Sequence, residues 1–211
     1  MARMKTCYMC AALATSKEHI PPKCIFPEDE NYRVNLITVP SCDEHNSEKS
    51  KCDELLRFVL AAVPGTNELA GEIIGGKVMR SIDHCPNILD TLVPDLQLVQ
   101  FNGSETGGFT LDEPQFKNSV ASIVRGFFFY ETGKKLDGDL RVYWAQMLAK
   151  NFSEAPFLEV LSKGEQILPQ TYKGSNSRVF QYALDVSKTG VTSLCRLRFY
   201  KGHPIFILWK T

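Results

Sequence analysis

The stretches CYMC, residues 7–10, and CDEH, residues 42–45, decide how the first part of this chain folds. In each of them two residues separate two candidate ligands, a spacing that lets one tight turn direct both side chains at the same ion. The segment between the two stretches has too few apolar residues for a core of its own, and units this small generally need a staple. The sequence therefore predicts a tetrahedral structural Zn2+ site whose ligands are Cys7, Cys10, Cys42 and His45.

The bulk composition is that of an ordinary globular protein. The chain has 211 residues, and its 24 Lys and Arg balance its 24 Asp and Glu. No apolar run approaches the ~18 residues of a membrane span, and the N-terminus lacks a signal-peptide pattern. Seven cysteines, an odd number, favour metal binding or free thiols over a disulfide framework. We expect a cytoplasmic protein without a membrane partner.

The pattern of apolar residues predicts an α+β fold in two domains, 1–63 and 64–211. Helical spacing recurs in four segments: 49–63, 68–84, 120–133 and 140–148. Strand patterns with turn signals occupy 96–111 and the last 35 residues, where YKGHPIFILW indicates a hairpin turn and a return strand. The second domain is therefore expected to combine helices with a C-terminal antiparallel sheet.

Positive charge is concentrated near the C-terminus. Residues 171–211 contain seven Lys and Arg but one Asp, a net charge of plus six that the rest of the chain offsets. In LCRLRFY, residues 194–200, alternation puts Arg196 and Arg198 opposite Cys195 and Leu197. These arginines are expected to face solvent and to contact nucleic acid. The alternative is a solvated sheet face without a ligand.

A second group of polar residues lies between and just after the two Cys/His stretches. KEHIPP, residues 17–22, sets Glu18 beside His19 and ahead of two prolines, and Asn35 and Asn46 follow along the chain. The ordered pattern C-x2-C, EHIPP, NLITVPSC-x2-HN-x2-K, over residues 7–54, resembles the HNH endonuclease family. That resemblance implies a treble-clef-like ββα-metal finger with structural zinc in domain 1–63.

The resemblance also implies a role for each matching residue. His19 corresponds to the general base, and Asn35 to the asparagine that braces the loop and orients the base. Glu18 and Asn46 correspond to ligands of a catalytic Mg2+ or Mn2+ ion. Two lysines, Lys49 and Lys51, correspond to phosphate contacts. Glu18 stands where many members have Asp or His, and Asn46 where the namesake has His, which leaves the metal preference open.

The function implied by this resemblance is metal-dependent hydrolysis of DNA phosphodiester bonds. Small HNH proteins with an added domain resemble restriction enzymes and anti-phage effectors that act with an ATPase or sensor partner. Two other readings stay open: a zinc finger that only binds nucleic acid, and an interaction subunit active only within a complex. Residues 1–60 carry eight basic and nine acidic side chains, so the finger alone would hold DNA weakly. The sequence also leaves open whether the chain forms a homo-oligomer.

Overall fold

The fold is α+β, as predicted from the sequence, with a small Cys/His cluster near the N-terminus and a four-stranded antiparallel sheet near the C-terminus. The computed structural model describes residues 5–47, 50–85, 87, 90, 93–101, 103–144, 162–163, 166, 168, 171–187 and 192–210. Within these ranges, no helix is long and apolar enough to cross a membrane.

The N-terminal unit has the β–β–α order expected of the finger. Strand β1, Ser16–His19, pairs antiparallel with β2, Thr38–Ser41, so that Glu18 lies opposite Val39. The connection between them contains two 3₁₀ turns, Lys23–Ile25 and Glu30–Tyr32. Helix α1, Asp43–Ser47, begins directly after Cys42.

Helices account for the middle of the chain. Helix α2 spans Ser50–Ala62, and the predicted helix over 68–84 consists of α3, Glu68–Ile73, and α4, Met79–His84, joined by a π-helical turn. That turn, Ile74–Val78, contains the two adjacent glycines that weaken the helical pattern. It turns the side chain of Lys77 into the protein, where it is 9% exposed.

The strands β3, Gln97–Phe101, and β4, Ser104–Gly108, form the predicted hairpin. Helix α5, Glu113–Thr132, follows. Its first turn is capped by Asp112, whose carboxylate accepts a hydrogen bond from the Gln115 amide at 3.0 Å. It ends at Gly133, whose left-handed conformation (φ 69°) is common where a helix ends and favours glycine.

The C-terminal sheet has the strand order β5-β8-β7-β6. Its strands are β5, Arg141–Trp144; β6, Phe180–Asp185; β7, Ser193–Phe199; and β8, Ile205–Trp209. The helix predicted at 140–148 is therefore wrong for its first part, and residues 145–148 lie outside the described ranges. Val142, Tyr143 and Trp144 favour a strand, and pairing with β8 outweighs their helical spacing.

One hydrophobic core includes residues from both sides of the predicted domain boundary at 63. Helix α5 runs against the finger, and a Cβ atom on Gly126 would lie 2.6 Å from the Ile20 side chain, so only glycine permits this approach. The buried Tyr200 hydroxyl, in the turn after β7, donates to the carbonyl oxygen of Ile25 in the finger. The predicted division into 1–63 and 64–211 is therefore not a division of the core.

Candidate metal centre and adjoining cavity

The knuckle cluster, Cys7, Cys10, Cys42 and His45, brings its four ligand atoms within 4.8 Å of one another. The first two cysteines lie in a tight turn closed by hydrogen bonds from Cys7 N to Ala12 O at 2.8 Å and from Ala14 N to Lys5 O at 3.0 Å. The other two ligands lie at the end of β2 and on α1. The structure thus joins the two stretches that the sequence singled out, 32 residues apart at their nearest cysteines.

The distances within the knuckle cluster fit one tetrahedral ion. Zn–S bonds of about 2.3 Å imply S···S edges of about 3.8 Å, and Zn–N bonds of about 2.0 Å imply S···N edges of about 3.5 Å. The Cys10 and Cys42 Sγ atoms are 3.8 Å apart, and His45 Nδ1 lies 3.1 Å from Cys42 Sγ and 3.8 Å from Cys7 Sγ. The Cys3His group could therefore hold a metal such as zinc.

The surroundings of Cys7 favour the thiolate that a metal requires. Burial alone would raise the pKa of the Cys7 thiol, but backbone amides of Met9, Cys42 and Cys10 donate hydrogen bonds to it and lower the pKa below the ordinary value. The Met9 amide lies 3.4 Å from the sulfur. Backbone amides from both knuckles thus favour the thiolate form of Cys7.

A polar cavity of about 140 Å³ is lined in part by Asn46, the residue that directly follows the knuckle ligand His45 on α1. We call it the base cavity. Glu18, His19 and Asn46, three of the residues predicted to be catalytic or metal-binding, contribute to its lining. The full lining consists of Lys17, Glu18, His19, Pro22, Lys23, Asn46 and Asp53. Side chains from β1, α1 and α2 therefore meet around one space.

Glu18 is held in place by two hydroxyl groups. Its side chain is 7% exposed, and Oε2 accepts a hydrogen bond from Ser41 Oγ at 3.3 Å. The Tyr8 hydroxyl also donates to it, and burial followed by the negative charge of Glu18 raises the pKa of Tyr8, so the phenol keeps its proton. A carboxylate offers about four lone-pair sites, so these bonds leave acceptor capacity for a cation.

His19 is half-buried at the end of β1. Burial lowers the pKa of its imidazole below the ordinary value, and the positive charges of Lys23 and Arg33 lower it further. The imidazole is therefore neutral near pH 7 and able to accept a proton. This is the protonation state that a general base needs.

Asn46 and Asp53 complete the oxygen donors of the base cavity. The Asn46 amide nitrogen donates to Ser16 Oγ at 2.9 Å, which leaves the amide oxygen as the atom that can meet a cation. Asp53, on α2, also lines the neighbouring space next to Glu18. Asp53 was not predicted from the sequence. Asn46 and Asp53 belong to two different helices, α1 and α2, so no single helical period links them, and no local signal in the sequence marks Asp53 as a cavity residue.

The remaining residues implied by the resemblance are placed differently. Asn35 lies in the turn before β2 with a φ of 53°, is exposed, and does not line the base cavity. Its expected role in bracing the loop stays a prediction. Lys49 lies outside the described residues. Lys51 belongs to α2, and its side chain is also outside the description.

The expected exposure of Arg196 is wrong. Its side chain is 2% exposed, and its guanidinium carbon lies 4.2 Å from the centre of the Tyr172 ring. Arg198 is half-buried and occupied within its own turn, where Nε donates to Gly202 O at 3.0 Å and Nη2 to Lys201 O at 3.2 Å. Both faces of β7 are covered, so its alternating pattern does not mark an open nucleic-acid face.

Comparisons of the chain with protein-family models, with curated proteins and with solved structures find no match. The function is therefore inferred from the chemistry of the knuckle cluster and of the base cavity.

Proposed function

We propose that this protein is a metal-dependent endonuclease of the HNH type that hydrolyses DNA phosphodiester bonds. One observation carries the proposal: Glu18, His19 and Asn46 line a single cavity, and Asn46 directly follows His45 of the Cys3His cluster on α1. A neutral imidazole, a carboxylate and an amide oxygen around one polar space are the groups that activate a water and hold a hard cation.

In the proposed reaction His19 accepts the proton of the attacking water. Its neutral state near pH 7 supports this role. The ammonium group of Lys23, which lines the same cavity, is available to pair with a phosphate oxygen. The hydroxyls of Tyr8 and Ser41 fix the Glu18 carboxylate, so the groups that must act together are positioned before the substrate arrives.

The oxygen donors of the base cavity would hold the catalytic cation. Glu18, Asn46 and Asp53 supply carboxylate and amide oxygens, the ligands that Mg2+ and Mn2+ prefer. Such a cation, when bound, stabilises the negative charge that develops on the phosphate and on the leaving oxygen. The knuckle cluster would hold Zn2+ in a structural role, because its four protein ligands leave no open position for substrate.

The test is cleavage of supercoiled plasmid DNA by the zinc-loaded chain, in Mg2+ and then in Mn2+, compared with buffer free of divalent ions. We expect nicking that requires the added cation and falls about 10²- to 10⁴-fold in His19→Ala, the usual contribution of a general base. His203→Ala is the matched control because His203 is an exposed histidine of the turn between β7 and β8.

Cleavage that survives in His19→Ala would contradict the assignment of the base. A folded, zinc-loaded chain that binds DNA but does not cut it would contradict the nuclease proposal. That result would favour a zinc finger that only binds nucleic acid, or a subunit that needs an ATPase or sensor partner.

A further inference from the structure

A second and larger concavity opens beside the base cavity. Its volume is about 800 Å³, within the range of 300–1,000 Å³ typical of ligand sites. We call it the basic cleft. Its lining comes from the loop after β1, from α2 and from the segment around α4: Lys23, Cys24, Glu28, Arg33, Glu54, Arg57, Lys77, Arg80, Ser81, His84 and Cys85. Lys23 lines both spaces, so the cleft continues from the base cavity.

The basic cleft carries excess positive charge. Five lysines and arginines face two glutamates, a net formal charge of plus three with the histidine neutral. One of the glutamates, Glu28, is paired with Arg80 at 2.8 Å in an exposed salt bridge. In a chain with no net charge, this local excess attracts anions.

Two of these cations are buried. The Arg57 side chain is 8% exposed, its Nη2 donates to Ser81 Oγ at 3.0 Å, and its Nε has no hydrogen-bond partner among the described residues. Lys77 Nζ donates to the carbonyl oxygens of Cys24 at 3.0 Å and Phe26 at 2.7 Å. These contacts are to uncharged groups, and among the described residues neither cation forms a salt bridge. A buried charge without a counter-charge is costly for stability.

Arg33 adds a third fixed cation. Its Nη2 donates to the Phe26 carbonyl oxygen at 3.3 Å, the same oxygen that Lys77 uses, and its buried Nε has no partner among the described residues. Burial, followed by the positive charge of Arg33, lowers the pKa of Lys77 to about 8. An anion in the cleft would oppose this repulsion and supply acceptors for the unsatisfied donors.

We propose that the basic cleft binds the phosphate groups of a nucleic-acid strand as the strand leaves the base cavity. The choice of a nucleic acid rests on the proposed nuclease function, whereas the preference for phosphate rests on the guanidinium groups. The continuity through Lys23 favours a strand that occupies both spaces over a separate small ligand. The cleft brings three cations of the charge-balanced residues 1–60, Lys23, Arg33 and Arg57, together with Lys77 and Arg80 on one surface.

The experiment measures binding of a short fluorescein-labelled DNA duplex, and of the corresponding single strand, by fluorescence anisotropy. All variants carry His19→Ala, so that the DNA stays intact in Mg2+. The cleft variant is Arg33→Gln with Arg80→Gln, neither of which lines the base cavity. The control is Arg141→Gln with Lys173→Gln, two exposed cations outside the cleft. Like Arg80, Lys173 pairs with one carboxylate, that of Glu131 at 2.8 Å.

We expect the cleft variant to bind at least threefold more weakly and to lose about 1 to 2 units of the slope of log affinity against log salt, measured from about 50 to about 200 mM salt. The control should keep the slope. Arg80→Glu alone, at an exposed position, should also weaken binding, and it provides the test if the double variant does not fold. Inorganic phosphate and ATP serve as competitors, to distinguish a strand from a free nucleotide.

Equal slopes for the cleft variant and the control would overturn the proposal, as would binding of ATP but of neither oligonucleotide. The two proposals fail separately. If DNA binding depends on the cleft but the chain never cuts DNA, the nuclease proposal is contradicted and the cleft proposal stands. If cutting requires the cation but DNA binding does not depend on Arg33 and Arg80, the cleft proposal is contradicted and the nuclease proposal stands.

Discussion

The knuckle cluster and the base cavity use the same β1–β2–α1 unit in different ways. In the knuckle cluster four ligand atoms lie within 4.8 Å of one another, close enough for a single ion to bind all four. In the base cavity the polar groups surround about 140 Å³ of open space. His45 and Asn46 are neighbours on α1, yet one faces the knuckle cluster and the next faces the cavity.

The short helix α1 thus presents two adjacent side chains to two different sites. Helix α1 has only five residues, too few to be stable by itself. The bond from a metal to His45 would hold the helix against β2 and so fix the position of Asn46. A metal in the closed site would therefore stabilise the fold, and the open site would depend on that metal for the position of Asn46.

The largest effect on stability is expected from removal of a knuckle ligand. We expect Cys10→Ser to lose bound zinc and to lower the free energy of unfolding by about 5 kcal/mol or more, roughly 10–20 °C in Tm, because a structural metal contributes directly to folding. Zinc content and calorimetric Tm check this. Cys24→Ser, at a half-buried cysteine outside the cluster, is the control. A Cys10→Ser protein with full zinc content would exclude Cys10 as a ligand.

A substitution at Asp53 changes the base cavity and leaves the four ligands of the knuckle cluster in place. We expect Asp53→Asn to raise the Mg2+ concentration needed for half-maximal cleavage by about 10- to 100-fold, the usual effect of groups that position or tune a metal ligand set. Zinc content and Tm should stay near those of the unsubstituted chain, because Asp53 is not part of the knuckle cluster.

The matched control for this substitution is Asp83→Asn, on the exposed surface of α4. An unchanged Mg2+ requirement in Asp53→Asn would remove Asp53 from the proposed cation site. A large loss of zinc would show instead that the two sites are coupled through α2.

The sequence predicted the knuckle cluster because local spacing fixes it. Two ligands on each tight turn need one long-range contact to become a site. Glu18, His19 and Asn46 were also predicted, but through the resemblance of the whole ordered pattern. Asp53 was missed because its arrival at the cavity depends on how α2 packs, which no local pattern reports.

The predictions from the sequence were wrong where a distant segment of the chain packs against the residues that form the local pattern. The residues before Trp144 have helical spacing, but strand β8 provides a partner and Trp144 stacks on Phe116 at 5.0 Å. Likewise, the alternation of polar and apolar residues in β7 assigns them to two faces of the strand, but it does not reveal that both faces are buried. The Arg196 guanidinium therefore lies inside the protein, over the Tyr172 ring.

The smallest predicted effect is that of a substitution at Arg198. This substitution tests whether DNA also contacts the C-terminal sheet. Its guanidinium holds the turn after β7 through Gly202 O and Lys201 O. We expect Arg198→Gln to leave the DNA affinity and the salt slope unchanged and to lower the free energy of unfolding by about 1–2 kcal/mol, since each such hydrogen bond contributes about 1 kcal/mol. Anisotropy and calorimetry of the same samples separate the two quantities. A fall in the salt slope at unchanged Tm would mean that this arginine leaves its turn to contact phosphate, and the DNA path would then have to reach the C-terminal sheet as well as the basic cleft.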